Sequence, residues 1–485
     1  MVNRVQNKKQ PIQEADIINT LQAYNEWWVT EKVPPALLEP VQREEFSDII
    51  NHLPHERILA LIGPRRTGKT TLLRQLIQYL LDTNIDPTSI LFLSADDPSL
   101  KLATHHFFED IFTIYFDRIK GSSMRETNTY IFIDEIHLAE NWEHWLKKYY
   151  DLKYPWKFII SSSSATHLSH QSKESLLGRI TEFTILPLDF KGYLHLQQNY
   201  EHILKYYQSL LEKQPKKTTY FAVQKHEQTL KQQLHAYLLR GGFPEALQQN
   251  SLQLWHDSLL SDVLQKTLYR DFIDIYHIRE PSKLEEVFTF ITYNTSQTFS
   301  LSSISRNLGI SIEAVTNYLH YLLDAYLIGD LRLYAPTIEK QLRANKKYFI
   351  IDPGLHNAIV KRTSLHDKNL GLLIESVVQK HLYNVAQRHH GRLFYWKTKK
   401  ETDILVSLGD NIHAFEVKYQ TTLTKGDFKG LTTCMDAHKL QEGILITKNT
   451  LEKHIIDEKT LLCIPAWLFL LSPDFFLEKE SCRFL

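Results

Sequence analysis

Gly63-Pro64-Arg65-Arg66-Thr67-Gly68-Lys69-Thr70-Thr71 follows the apolar run Ile58-Leu59-Ala60-Leu61-Ile62 and opens a stretch of helical character. An apolar strand, a loop bounded by glycines and a Lys-Thr pair at a helix start make a cradle for phosphate. Gly63 and Gly68 let the backbone curl so that successive N–H groups of the loop converge on one anion. The helix N-terminus adds partial positive charge at the same point. Lys69 supplies a point charge for the β- and γ-phosphates, and the Thr70 hydroxyl suits a magnesium ligand. The whole segment from Gly63 to Thr71 is therefore expected to bind ATP.

Outward from that loop, short apolar strands alternate with helical patterns from residue 53 to 190, the signature of a parallel α/β sheet. The expected strands are Ile58–Ile62, Ile90–Ser94, Tyr130–Ile133, Phe158–Ser161 and Phe183–Leu186. Ligands of open sheets bind at the carboxyl ends of such strands. The third strand ends in Asp134-Glu135. Asp134 is placed to help hold Mg2+ and Glu135 to polarise an attacking water. The fourth runs into Ser161-Ser162-Ser163-Ser164; Ser161 or Ser163 is a candidate sensor of the γ-phosphate, against a plain polar loop. Arg179 is a candidate finger for a neighbouring subunit, against plain surface charge.

Before this core, residues 1–52 read as helical, with Trp27-Trp28 expected to dock on the domain that follows. After it, residues 191–280 read as a helical lid or linker, with a basic loop at Lys213–Lys217 and a tight turn at Gly241-Gly242. Residues 281–349 have winged helix-turn-helix spacing: a helix from Leu284 to Tyr293, a helix pair broken at Gly309, and wing strands Leu327–Tyr334 and Lys346–Ile351. Arg332, Lys340, Arg343, Lys346 and Lys347 form an expected phosphate-contacting edge against Glu339 alone; winged helices also serve protein contacts.

Residues 350–485 hold a second constellation. Gly371–Val378 reads as a buried helix carrying Glu375, followed by strands Leu393–Thr398, Thr402–Leu408 and His413–Tyr419. A two-residue turn at Gly409-Asp410 sets Asp403 opposite Glu416, with Lys418 on the same face. Glu375, Asp403 and Glu416 are thus candidate ligands for Mg2+ or Mn2+, with Lys418 beside an attacking water. The competing reading is an exposed charged edge, or a nuclease fold that has kept only its charges. The run Leu461–Leu471, too short to span a bilayer, reads as a buried strand.

Composition sets the outer limits. A chain of 485 residues with 43 % hydrophobic side chains accommodates several packed domains. Zero formal net charge argues against a non-specific polyanion binder. The three cysteines, Cys434, Cys463 and Cys482, form no CxxC pair and fit a reducing compartment. The polar first residues show no secretory signal. A cytoplasmic protein without a membrane segment is expected.

With these residues in place, the chain resembles a prokaryotic AAA-type ATPase family that ends in a domain of unknown function with a PD-(D/E)xK nuclease-like core. The matching stretches include GPRRTGKTTLL, YIFIDEIH, FIISSSSA, GRITEFTILPLDF, GGFPEAL, KKYFIIDPGL, GLLIESVVQKHL, ETDILV and AFEVK. The resemblance implies an α/β architecture: a P-loop NTPase (AAA+-like) parallel sheet, helical lid, winged helix-turn-helix and C-terminal restriction-endonuclease-like domain. It implies an ATP site at Gly63, Gly68, Lys69, Thr70, Asp134 and Glu135, and nuclease-type positions at Glu375, Asp403, Glu416 and Lys418. Two departures stand out: Ser162-Ser163 replaces a common Gly-Ser pair, and Thr402 precedes Asp403 where the motif has proline. The expected activity is ATP hydrolysis coupled to DNA binding and metal-dependent DNA cleavage. Its competitors are a nucleotide-dependent switch or scaffold that does not cut, and an ATP-driven DNA motor or branch-migration helicase. Self-assembly into a homo-oligomer is left open.

Overall fold

The structure, a computed structural model, describes residues 14–104, 106–163, 176–212, 219–365 and 370–477. Ser164, the loop Lys213–Lys217 and Cys482 lie outside the described residues. The chain divides into two compact units, Met1–Ile185 and Leu186–Leu485.

In the first unit, β1 (Ile58–Ile62), β2 (Ile90–Ser94), β3 (Thr129–Asp134), β4 (Trp156–Ser162) and β5 (Ile180–Thr184) form one sheet in the order β2-β3-β4-β1-β5. Every neighbour pair is parallel. Strands covered on both faces need no polar alternation, which is why Ile58–Ile62 is apolar throughout and wholly buried. The helix Lys69–Asp82 buries Leu72, Leu73, Leu76, Ile77 and Leu80, a stripe at helical spacing. Because β1, β4 and β3 are adjacent, the phosphate loop, the serine run and Asp134 emerge side by side.

The last strand begins earlier than expected, at Ile180 rather than Phe183. Its register against β1 pairs Ile58 with Ile180 and Ile62 with Thr184. The more apolar Ile185-Leu186 continues past the strand, with Ile185 N–H bonded to the Ile62 carbonyl at 2.6 Å.

The edge strand β2 is covered by the N-terminal segment. The Asn25 side chain donates to the Phe92 carbonyl (2.8 Å) and accepts from the Phe92 N–H (2.6 Å), imitating a neighbouring strand. Both Trp27 and Trp28 donate their indole N–H to the Ile90 carbonyl, at 3.2 and 2.9 Å. A sheet edge left bare would present unpaired backbone groups; these three side chains satisfy them.

The second unit holds β6 (Thr298–Phe299), β7 (Ile328–Leu333), β8 (Lys346–Ile350), β9 (Arg392–Lys397), β10 (Glu401–Leu408), β11 (Asn411–Lys418), β12 (Glu442–Thr447), β13 (Glu452–Ile456) and β14 (Lys459–Pro465). They join in one nine-stranded sheet, β13-β14-β12-β11-β10-β9-β7-β8-β6. The wing-like strands and the C-terminal strands therefore share a sheet, through parallel pairing of Arg332 with Phe394 and Leu333 with Tyr395. Helices Pro281–Tyr293, Leu301–Leu308 and Ile312–Asp324 precede β7. The last two are capped by Ser300 and Ser311, and Gly309 between them takes φ +66°. The long helix Leu370–Arg388 packs its apolar side against β8, β9 and β10.

The β10–β11 hairpin has the register set by its two-residue turn, with Ile404 opposite Phe415 and Leu408 opposite Asn411. The C-terminal apolar run differs from expectation: β14 stops at Pro465 and a short buried helix, Ala466–Phe469, follows. Proline offers no N–H to continue a ladder and suits a helix entry.

The Gly241-Gly242 turn is closed by a carboxylate. Asp352 accepts from Gly242 N (2.7 Å) and from Leu355 N (3.0 Å), so one side chain holds the turn and starts the helix Pro353–Val360. Gly241 has φ +81°, and a Cβ there would lie 2.1 Å from Asp352 Oδ1. Gly241→Ala should therefore destabilise the second unit by about 2–3 kcal/mol, from left-handed strain plus displacement of the carboxylate. In calorimetry the loss should fall on the transition that ATP leaves unshifted; an unchanged transition would contradict it.

Candidate functional site

The loop after β1 has the curvature a phosphate cradle needs: Arg66 and Gly68 lie at φ +65° and +92°. Gly63 admits no side chain, because a Cβ would sit 2.1 Å from the Ile185 carbonyl oxygen. Its N–H donates to the Ser162 carbonyl at 3.3 Å. Thr67 is buried and its hydroxyl donates to the Pro64 carbonyl at 3.0 Å. Lys69 is buried with its ammonium across the loop, donating to the carbonyls of Gly63 (2.9 Å) and Pro64 (2.8 Å). Arg65, Thr71 and Arg66 line the same segment and are half-buried.

At the neighbouring strand ends, the Thr70 hydroxyl donates to Asp134 Oδ2 at 2.7 Å. Ser161 Oγ donates to Asp134 Oδ1 and accepts from the Glu135 N–H at 3.0 Å. A single buried carboxylate is thus gripped by hydroxyls from the loop helix and from β4. Glu135 takes a left-handed backbone, φ +48°. That turn sets its carboxylate 3.4 Å from His137 Nδ1, and the same nitrogen is 3.2 Å from Ser162 Oγ. Left-handed geometry in a non-glycine residue is uncommon and gathers at functional sites.

The two sensor candidates separate here. Ser161 is committed to Asp134 and Glu135, a positioning role. Ser163 Oγ is buried with no hydrogen-bond partner among the described residues, so it retains capacity for a ligand oxygen. An orphaned hydroxyl and a hard-oxygen pair, Thr70 and Asp134, fit a magnesium–nucleotide. Arg179 lies at the opposite end of the sheet, its carbonyl accepting from the N–H of Ile58. Its guanidinium is paired with Asp151, Nε to Oδ1 at 2.8 Å.

Sequence reasoning missed Arg43. Its guanidinium donates to the Thr67 carbonyl at 2.6 Å and is oriented by Glu45 through contacts of 3.1 and 3.2 Å. An Arg-x-Glu ahead of a phosphate loop is a faint local signal, and its target carbonyl is visible only in the fold. His137 was missed too, although only Ile136 separates it from the Asp-Glu pair.

In the second unit the expected acidic residues do converge. Asp403 N–H donates to Glu416 Oε2 at 3.3 Å, and Asp403 Oδ2 accepts from Val417 N–H at 2.9 Å. Glu416 Oε1 accepts from Lys418 Nζ at 2.5 Å. Glu375 Oε1 accepts from Gln379 at 3.0 Å.

What the sequence did not suggest is the cation among them. Lys347, expected on an exposed basic edge, is 2 % exposed. Its ammonium lies 3.1 Å from Glu375 Oε1, 2.7 Å from Glu401 Oε1 and 3.8 Å from Asp403 Oδ1. Lysine 346, its neighbour, pairs with Asp330 at 2.7 Å. Alternation along β8 explains the split: adjacent residues face opposite sides of a sheet.

Burial alone would lower the Lys347 pKa, but Glu375, Asp403 and Glu401 outweigh it and hold the ammonium well above its ordinary value. Burial, then repulsion from Asp403, pushes Glu375 and Glu416 up. Lys347 and Lys418 each gain from several carboxylates, while Glu375 and Glu416 each still feel the Asp403 charge. Among the described residues no group of three or more His, Cys, Asp or Glu is arranged to hold a metal ion. Within the Glu375–Asp403–Glu416 set, Glu375 Oε1, Asp403 Oδ2 and both oxygens of Glu416 already meet lysine, glutamine or backbone N–H donors.

Comparisons with known proteins follow this division. Residues 55–194 match the family model described as "AAA domain". Residues 231–366 and 370–468 match two families described as domains of unknown function, DUF8612 and DUF4143. An uncharacterized protein of Haemophilus influenzae is 24 % identical over 88 % of this chain and 98 % of its own. An uncharacterized protein of Methanocaldococcus jannaschii is 26 % identical, over 89 % and 93 %.

Among solved structures, the S. cerevisiae Hsp104:casein complex aligns at 17 % identity and TM-score 0.31, covering 62 % of this chain and about half, 52 %, of that one. The Aeropyrum pernix ORC1 protein in complex with DNA aligns at 10 % identity and TM-score 0.30, over 70 % and 96 %. Scores at that level support no conclusion about shared architecture or activity. What the comparisons show is local: residues 55–194 are similar to the AAA domain family.

Proposed function

We propose that the protein is an ATP-hydrolysing, nucleotide-dependent switch. The observation that carries this reading is the Asp134 carboxylate, held between the hydroxyls of Thr70 and Ser161 beside a left-handed Glu135. ATP would lie along Gly63–Thr71, its phosphates meeting loop N–H groups and the Lys69 ammonium. Thr70 and Asp134 would hold Mg2+, which supplies charge neutralisation at the phosphates. Glu135 orients and deprotonates the attacking water. His137 and Ser162 hold the Glu135 side chain in place, and Ser163 offers its hydroxyl to the γ-phosphate. Arg179 would act as a finger only by leaving Asp151.

For the second unit we propose a winged helix-turn-helix at 281–349 followed by a restriction-endonuclease-like fold at 350–485, after a helical lid at 191–280. The helix order, the caps at Ser300 and Ser311 and the β7–β8 pair support that reading. We assign it no nuclease step, because Lys347 stands among its carboxylates. The exposed positions of Ile312–Asp324 include Glu313, Thr316, Asn317 and His320 but no lysine or arginine. That favours a protein surface over a DNA groove as its target, since DNA affinity rests on phosphate neutralisation. A second reading, DNA binding, is favoured by Arg332, Lys340 and Arg343, which remain exposed. Stimulation of ATPase turnover by duplex DNA, lost at higher salt, would select it.

Lys69→Ala should abolish ATP binding, whereas Glu135→Gln should bind ATP normally and lose turnover by about 100-fold or more. Retained turnover in Glu135→Gln would remove the glutamate from the chemistry. Arg43→Ala should weaken ATP about tenfold, through loss of a charged hydrogen bond to the loop carbonyl. Calorimetric titration reads this, and an unchanged Kd would make Arg43 a structural residue only.

A further inference from the structure

We infer that Lys347 is the built-in counterion of the second unit's acidic cluster, taking the place a divalent metal would occupy and closing the cluster to metal-dependent chemistry. The inference concerns a site separate from the ATP site and stands or falls without it.

The position argues for it first. The ammonium approaches Glu375 on the long helix and both Glu401 and Asp403 on β10, within 3.8 Å of all three. These are carboxylates from two elements, converging on one cation from a third, β8. An ammonium has only donors and a compact charge, so it satisfies acidic oxygens much as a small cation does. A buried charge of this kind is stable only when paired and hydrogen-bonded.

The remaining oxygens argue for it next. Asp403 Oδ2 is taken by Val417 N–H, while Glu416 uses one oxygen for Asp403 N–H and the other for Lys418. Gly430 closes the other flank: a Cβ there would meet the Glu401 carbonyl at 2.4 Å and Glu416 Oε1 at 3.5 Å. A magnesium ion demands octahedral oxygen donors and keeps waters of its own. While Lys347 is in place, Glu375 Oε1 and Glu401 Oε1 face its ammonium rather than a metal ion.

The shared sheet argues for it last. Because β7 pairs with β9, the two strands β9 and β7 separate β8 from the hairpin, and the sheet fixes the Lys347 backbone relative to β10. The cation is thus covalently part of the fold rather than a dissociable occupant.

The test uses full-length protein in an Asp134→Asn background, so that the first unit's ligand pair does not contribute, with Mn2+ as the probe followed by its electron paramagnetic resonance signal. Asp134→Asn protein should bind no Mn2+ that a further Asp403→Asn change removes. Adding Lys347→Met should create Mn2+ binding, about tenfold or more above background, and Asp403→Asn should abolish it. Binding by Asp134→Asn protein that is lost with Asp403→Asn would overturn the inference. So would a folded Lys347→Met protein that gains none. Should circular dichroism show Lys347→Met unfolded, the Asp134→Asn pair with and without Asp403→Asn decides alone.

Discussion

The hydrogen bonds converging on the Asp134 carboxylate are what the geometry of the first unit's candidate site depends on. They tie the loop helix, β3 and β4 together at one carboxylate, through Thr70 and Ser161. A buried acid is costly unless its oxygens are satisfied, and here both oxygens receive hydroxyl donors. The same hydroxyl that serves Asp134 also accepts the N–H of Glu135, whose strained turn follows directly. Disturbing any of these groups would move the acid, the glutamate and the loop together.

In both units, several polar side chains act on backbone groups. Asn25, Trp27 and Trp28 cover the exposed edge of β2. Arg43 fixes a loop carbonyl, and Asp352 does the same for two amides in the second unit. In each case a side chain satisfies a main-chain group that secondary structure leaves over, and all but the Asp352–Leu355 bond join stretches distant in sequence. The N-terminal segment is therefore part of the first unit's working sheet.

The second unit illustrates how similar charges can mean different things. Glu375, Asp403, Glu416 and Lys418 have the residue types and spacing of a metal site, and the hairpin register brings them together as its turn requires. Lys347 adds a buried cation that the sequence did not point to, because a lysine is judged from sequence by its charged neighbours along the chain. Here Lys346 and Lys347 face opposite sides of the same strand, one toward Asp330 and the other into the acids. Serine 161 and Ser163 offer a milder example: equal in the sequence, they divide into a positioning group and an orphaned hydroxyl.

By itself, the sequence determined the local elements: the strand, glycine loop and lysine of the cradle, the parallel strands ending in Asp134 and Ser161, the capped helix pair, and the hairpin register. These follow from short-range rules of periodicity, glycine geometry and capping, so they are legible residue by residue. Tertiary structure alone decided the strand order that sets Asp134 beside the loop, the start of β5 at Ile180, the sheet shared by β7 and β9, and the partners of Arg43 and Lys347. The physical reason is that each is a pairing between distant stretches of chain. Such pairings are chosen by which buried charges and backbone groups can satisfy one another, and no window of sequence contains both members.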